Sequence, residues 1–256
     1  MRPDPGREAQ LLLAALQFMT RLPVRPRTYD PDWLPRAAKY FPLVGLLVGA
    51  IAAVLLLAAD RLWPAPLPQL LAIGGALLVT GAIHEDGLAD AADSLGAATR
   101  EKRLAIMKDS RLGTFGALAL GLSLAMQASA LAALPVGAAA AAFVAAHGAG
   151  RLVAVLLMAA QPYAGEMAAS RIEHRSDRPG AGEVVVAALF GILPLLLLPP
   201  AQTALALVLG GAASALACWR LCRPLGGYTG DVLGAGISTF QTAFLLGLAA
   251  DLGRWS

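Results

Sequence analysis

Residues 84 to 93 read His-Glu-Asp-Gly-Leu-Ala-Asp-Ala-Ala-Asp and follow a long apolar run. Three aspartates, Asp86, Asp90 and Asp93, are spaced four and three residues apart. On a helix turning about 100° per residue, Asp90 lies about 40° to one side of Asp86 and Asp93 about 20° to the other. The three carboxylates share one narrow stripe. Like charges at that spacing repel, so the pattern calls for a cation between them. Hard oxygen donors suit Mg²⁺, with Mn²⁺ as a substitute, held by carboxylates together with substrate phosphates. Gly87, inside the stripe, gives a ligand close access to the backbone. The plain alternative is a solvated loop with scattered acids.

Three further polar segments carry chemistry. The run from Ile106 to Gly116 contains Lys108, Asp109, Ser110 and Arg111 ahead of Gly113 and Gly116. Lys108 and Arg111 offer fixed positive charge, and arginine grips phosphate with two parallel hydrogen bonds. Asp109 is a further metal ligand candidate. Gly113 and Gly116, at a helix start, would admit phosphate oxygens to backbone N–H groups. A second segment, Leu225 to Asp231, delivers Gly227, Thr229 and Gly230 with the carboxylate of Asp231 to another helix start, where the simpler role is a turn with a cap. The third is His147 and Arg151, four apart inside an apolar stretch. An arginine buried there needs a partner or a polar cavity, and Arg151 is a candidate to reach a phosphate or one of the aspartates. Arg21 is a candidate contact for substrate or lipid phosphate.

These segments need a scaffold, and composition names its class. The chain of 256 residues is 57% hydrophobic and 14% charged, where soluble domains carry roughly 25% charge. An all-α, polytopic transmembrane helical bundle follows, as a single integral membrane domain over residues 1–256. Apolar windows of spanning length fall at about 40–59, 67–84, 112–134, 136–160, 183–198, 201–219 and 232–250, giving about seven spans (six to eight). Residues 8–20 are too short to span and read as an amphipathic helix at the interface. Cys218 and Cys222, four apart in an expected span, read as small buried hydrophobes rather than a disulfide.

With the N-terminus cytoplasmic, seven spans leave 17 of the 20 Lys and Arg on that side, as the positive-inside rule demands. All the polar segments lie at the cytoplasmic ends of spans. Metal, fixed cations and helix N-termini on one face are equipment for phosphoryl transfer, where positioning and charge stabilisation carry the catalysis. There is no Walker loop, no His-Glu-x-x-His and no Gly-x-Ser-x-Gly.

Five blocks in order carry a resemblance: Phe18 to Val24, Phe41 to Gly45, His84 to Asp93, Ile106 to Gly116 and Gly226 to Asp231. From about residue 11 to about residue 250 the chain closely resembles the cobalamin 5′-phosphate synthase family, also called adenosylcobinamide-GDP ribazoletransferases. The resemblance implies a Mg²⁺-dependent enzyme of the bacterial inner membrane, multi-pass, with its active site facing the cytoplasm. It implies transfer of adenosylcobinamide phosphate from adenosylcobinamide-GDP to α-ribazole or α-ribazole 5′-phosphate, releasing GMP. Asp86, Asp90, Asp93, Lys108, Asp109 and Arg111 become the catalytic candidates. Arg21, His84, Gly87, Ser110, Gly113, Arg151, Gly227, Thr229 and Gly230 become substrate contacts, and Asp86, Asp90, Asp93, Asp109 and Asp231 metal ligands. The bilayer is the expected partner, with an oligomer or a complex with other corrinoid enzymes also open, and no nucleic acid.

The chain departs from the family pattern in three places. Ser94 replaces a glycine after the third aspartate. Pro162-Tyr163-Ala164 is followed by Gly165-Glu166-Met167 rather than an arginine block, so no catalytic role is carried onto that loop. Glu85 stands where a hydrophobic residue is usual. His84 lies on the far side of the helix from the aspartates, so an acid of the stripe is the better general base. The alternative from the same chemistry is a CDP-alcohol-type lipid phosphotransferase, but its Asp-Gly-x-x-Ala-Arg signature is absent, since Asp86-Gly87 runs on to Leu88-Ala89-Asp90. A transporter would place ionisable groups at the midplane of several spans and show a repeat. Only His147 and Arg151 fit that.

Overall fold

The computed structural model describes residues 5–25, 33–165 and 178–251. Arg2, Arg27, Arg171 and Arg175 of the expected cytoplasmic charge, and Glu166 and Met167, lie outside the described residues. The described chain is helical throughout: α1 Pro5–Met19, α2 Trp33–Ala37, α3 Phe41–Asp60, α4 Leu67–Thr80, α5 Ile83–Ser94, α6 Arg100–Met107, α7 Thr114–Ala132, α8 Val136–Ala160, α9 Ala181–Ile192, α10 Pro200–Leu225 and α11 Gly230–Leu248. Among the described residues, five helices are long and apolar enough to cross a membrane, α3 (continuous with α2 from Trp33), α7, α8, α10 and α11. The polytopic helical bundle stands, with five such helices against the six to eight spans expected, or six if the bent α4–α5 pair is one span.

Two expected spans differ, each for a local reason. The window 67–84 does not run straight. α4 ends at Thr80, Gly81 and Ala82 both adopt left-handed backbone (φ 68° and 57°), and α5 leaves at 90° to α4. Together α4 and α5, bent at their break, make either a broken span, which would be a sixth, or a re-entrant loop. The window 183–198 becomes α9 followed by a 3₁₀ turn, Leu193–Leu197, around Pro194, because proline removes the donor that would continue the helix. α6 is an addition: the Thr99 side chain accepts the Lys102 N–H as its N-terminal cap, and Leu104 and Met107 turn inward.

The most enclosed spans are α8 and α11, and small residues set their neighbours' approach. A Cβ on Gly45 of α3 would strike the His147 carbonyl, and one on Gly49 would come within 2.7 Å of the Val144 Cα. Between lipid-soluble helices, such close packing and interhelical hydrogen bonds drive association. Ser123 and Gln127 of α7 supply the latter, both bonded to the Thr242 hydroxyl of α11 at 2.7 and 3.1 Å. Cys218 and Cys222 are free and buried, as expected. α1 packs into the bundle. Leu11, Ala14, Ala15 and Met19 enter the core with Phe41 and Met158, and Glu8 receives Lys39 Nζ and the Tyr40 hydroxyl, each at 2.6 Å.

Candidate active site

The aspartate stripe sits on α5, a continuous helix, so Asp86, Asp90 and Asp93 do share one side. Ser94 prolongs that helix. Its buried hydroxyl donates to the Ala91 carbonyl at 2.7 Å, which accommodates serine where glycine is usual. α5 crosses α11 where glycine faces glycine. A Cβ on Gly87 would lie 3.0 Å from the Asp231 Cα and carbonyl oxygen and 3.3 Å from the Gly234 Cα. A Cβ on Gly234 would lie 3.0 Å from the His84 carbonyl. Gly87 therefore serves helix crossing, and the crossing brings Asp231 beside the stripe. The charges of Asp86, Asp231, Asp93 and Asp109 all bear on Asp90. Asp86 is exposed, while Asp90, Asp93 and Asp231 are half-buried.

Asp93 is engaged from the other side. Its Oδ2 accepts the Gly113 N–H and its Oδ1 the Gly116 N–H, both at 2.8 Å. A carboxylate at a helix N-terminus satisfies orphan donors and complements the dipole. Side chains at Gly113 or Gly116 would collide with that carboxylate. The two glycines therefore admit Asp93, where a phosphate was expected, because their N–H groups are already taken.

The third segment is bound to the rest of the bundle by backbone. Gly226 ends α10 in left-handed conformation. Tyr228 N–H donates to the Pro162 carbonyl at 2.9 Å, and Ala164 N–H to the Tyr228 carbonyl at 2.8 Å. A Cβ on Gly227 would strike the Pro162 oxygen, so Gly227 serves this close approach. Thr229 is the buried N-terminal cap of α11, accepting the Val232 N–H at 3.3 Å. Gly230 faces open space. Arg100, which sequence reasoning missed, donates to the Leu225 carbonyl at 2.9 Å and the Ala164 carbonyl at 2.8 Å. It thereby caps the end of α10 and ties α6 to both loops.

Asp109 and Arg111 form a fork, with Arg111 Nε 2.9 and 3.1 Å from the two carboxylate oxygens and Nη2 closing the pair. The hydrogen bond from Arg111 holds the Asp109 carboxyl well below its ordinary range, at about 2. Lys108 and Ser110 are exposed beside it. The Arg111 side chain is 87% exposed. Exposed pairs of this kind contribute little to stability, so either member can exchange partner when an anion or a cation arrives.

Three expected contacts lie away from the cluster. His84 is buried, its Nε2 3.4 Å from the Met19 sulfur. Arg151 is fully enclosed, its Nη1 bonded at 3.1 Å to both His147 Nδ1 and the His147 carbonyl. Gln241 Nε2 meets the same His147 nitrogen at 3.1 Å. Arg151 does not reach an aspartate. The acid whose charge bears on it is Glu85, whose Oε2 is buried and unpartnered, as are Arg151 Nε and Nη2. Arg21 makes no ion pair with the aspartates among the described residues. Its backbone N–H donates to the Val79 carbonyl at 2.8 Å, and its side chain lies against Gly81.

Residues 11–249 match the family model described as cobalamin-5-phosphate synthase. The chain belongs to the cobalamin-5-phosphate synthase family. It is 40% identical to the adenosylcobinamide-GDP ribazoletransferase of Leptothrix cholodnii, over 96% of this chain and 97% of that one. It is 42% identical to the protein of that name from Shewanella amazonensis, over 90% of each chain. With the Ralstonia nicotianae protein, also so named, it shares 43% identity over 93% of this chain and 94% of the other. No solved structure matches.

Within this family member, no three His, Cys, Asp or Glu side chains among the described residues are arranged to hold a metal ion by themselves. Asp93 is committed to α7 and Asp109 to Arg111. What remains is Asp86, Asp90 and Asp231, oxygen donors whose negative charges bear on one another. These are oxygen donors of the kind Mg²⁺ takes, and since no three of them converge, one or two would serve with substrate phosphates and water completing the shell. Residues missed in the sequence, Arg100, Gly234 and Gly45, act through backbone contacts made by distant segments. Only Gly45, inside the Phe41 to Gly45 block, left a signal there.

Proposed function

We propose that the protein transfers adenosylcobinamide phosphate from adenosylcobinamide-GDP to α-ribazole or α-ribazole 5′-phosphate, giving adenosylcobalamin or its 5′-phosphate and GMP. The observation that supports it is the crossing of α5 and α11, which brings Asp231 beside Asp86 and Asp90, in a chain 40% identical over nearly its full length to a protein named adenosylcobinamide-GDP ribazoletransferase. Asp86, Asp90 and Asp231 would hold Mg²⁺. When bound, it neutralises developing charge on the pyrophosphate and the leaving GMP. Arg111, released from Asp109, and Lys108 take up phosphate charge. A ribose hydroxyl of the ribazole attacks the phosphorus attached to the cobinamide, the bond from that phosphorus to the GMP oxygen breaks, and GMP leaves with the bonding pair. A carboxylate of the stripe that is not engaged by the metal takes the hydroxyl proton. The burial of His84 against Met19 argues against it as the base. Asp93 acts as a positioning residue, locking α5 to α7. The site lies on the cytoplasmic side of the inner membrane in this reading, by the basic-residue asymmetry.

The test is turnover in purified membranes supplied with adenosylcobinamide-GDP and α-ribazole 5′-phosphate, with Mg²⁺ or with chelator. Metal-dependent appearance of GMP and cobalamin phosphate in equal amounts is expected. Folded protein that yields neither product in either condition contradicts the reading and favours a screen of CDP-alcohols.

A further inference from the structure

A groove of about 950 Å³ runs along the outer side of the α3–α4 pair. Its walls are Leu55, Ala58 and Ala59 from α3 and Leu71, Gly74 and Gly75 from α4. The volume is at the upper end of ligand clefts. Glycine and alanine hollow it. Where a Cβ would stand on Gly74 there is open space, and Gly75 makes room for the Leu55 side chain. One end, by the α3–α4 turn, carries Trp63, and the other carries Gly81, Ala82 and Arg21. α4 is 14 residues long, so at 1.5 Å per residue the groove follows a helix of about 21 Å. Its lining is apolar apart from Arg21, whose guanidinium has no hydrogen-bond or ion-pair partner among the described residues.

We propose that this groove is a binding site for an anionic phospholipid, with an acyl chain along α4 and the headgroup phosphate on Arg21. Charge complementarity selects the occupant. A single unpaired guanidinium at the end of an apolar trough matches a molecule with one anionic end and a long apolar body. Arginine binds phosphate with paired hydrogen bonds, and a free phosphate would leave the trough empty. A second copy of the chain docked here would need a carboxylate to face Arg21. Arg21 is held for the task by its backbone bond to Val79 and by Gly81, where any side chain would displace its stem. Trp63 at the far end is of the type that marks membrane interfaces. The groove is lined by none of the clustered carboxylates, and its binding of lipid does not rest on the proposed reaction.

Native mass spectrometry of the full chain in mild detergent tests it, with phosphatidylglycerol and phosphatidylcholine of identical acyl chains added in turn. One phosphatidylglycerol per chain is expected, retained about tenfold more tightly than phosphatidylcholine (a difference of about 1.4 kcal/mol). Arg21→Gln should erase that preference. Gly74→Leu, which meets no atom on insertion, should fold normally, lose both lipids and release GMP in detergent at the unsubstituted rate. Equal retention of the two lipids, unchanged preference in Arg21→Gln, displacement of the lipid by millimolar inorganic phosphate, or a lipid-free dimer that Gly74→Leu dissolves would each overturn the proposal.

Discussion

Asp93 on α5 accepts the Gly113 backbone N–H at 2.8 Å, and its second oxygen accepts Gly116 at the same distance. One carboxylate thus closes the start of α7 and fixes the rotation of the helix that presents Asp86 and Asp90. Replacing Asp93 with Asn keeps one acceptor and turns an amide towards the other N–H. The loss should be about 2 kcal/mol, the scale of a charge-assisted hydrogen bond. Thermal unfolding in detergent should show a clear fall in Tm, with turnover reduced and Mg²⁺ dependence kept.

Asp90 should behave in the opposite way. It is surrounded by the charges of Asp86, Asp231, Asp93 and Asp109, so Asp90→Asn relieves repulsion while removing a ligand. Turnover should fall by about a hundredfold or more, the scale of losing a charge-stabilising group, with Tm unchanged or raised. A large drop in Tm would assign Asp90 to the fold instead.

The helix crossing can be tested by size alone. Gly87→Ala places a methyl group 3.0 Å from the Asp231 backbone, which cannot yield as a side chain would. α5 must then move away from α11, parting Asp86 from Asp231. Turnover should fall by about tenfold or more, the cost of displacing reacting groups by a fraction of an ångström. Gly96→Ala, with no atom near the added carbon, is the control and should leave turnover intact.

Arg111→Lys removes the fork to Asp109 and, in the proposed reaction, the paired grip on phosphate. KM for adenosylcobinamide-GDP should rise more than KM for α-ribazole. The same pair fixes a pH expectation. The Asp109 carboxyl is depressed to about 2 from an ordinary value of 3.8. Its contribution is therefore present at any pH above about 4 and fades only as pH falls towards 2. Asp109→Asn should leave the acid limb of the pH–rate profile near neutrality where it is. Movement of that limb would place Asp109 among the titrating groups.

Glu85 and Arg151 each carry buried atoms with no hydrogen-bond partner, and the charge of Glu85 bears on Arg151 without an ion pair between them. Removing one charge leaves the other uncompensated, at a cost of about 3 kcal/mol. Arg151→Met and Glu85→Gln should each lower Tm, and the double variant should recover most of the loss. Additive losses would show that the two charges act independently.

Much of this was legible in the chain. The aspartate stripe depends only on helical period, and α5 keeps that period from Ile83 to Ser94. The apolar windows became α3, α7, α8, α10 and α11 with shifted ends. The 90° turn at Gly81 and Ala82 was not legible, because hydropathy runs unbroken through both, and the left-handed alanine is held by N–H bonds to the Leu77 carbonyl and the Thr80 hydroxyl that hydropathy does not register. Nor could spacing show whether Gly113 and Gly116 would meet a phosphate or a carboxylate, since the partner, Asp93, lies twenty residues away in another helix. Arg151 illustrates the same limit. Its place in an apolar run announced burial, but the run could not say that it would turn to His147 rather than to the aspartates.

The central claim is that Asp86, Asp90 and Asp231 form a metal site completed by the substrate's pyrophosphate. Mn²⁺ binding by electron paramagnetic resonance, on the full chain in detergent with and without adenosylcobinamide-GDP, tests it most directly. Weak binding alone, tightened about tenfold or more by the nucleotide and abolished by Asp90→Asn, is predicted. Binding that is tight without the nucleotide, or that survives Asp90→Asn, would contradict it.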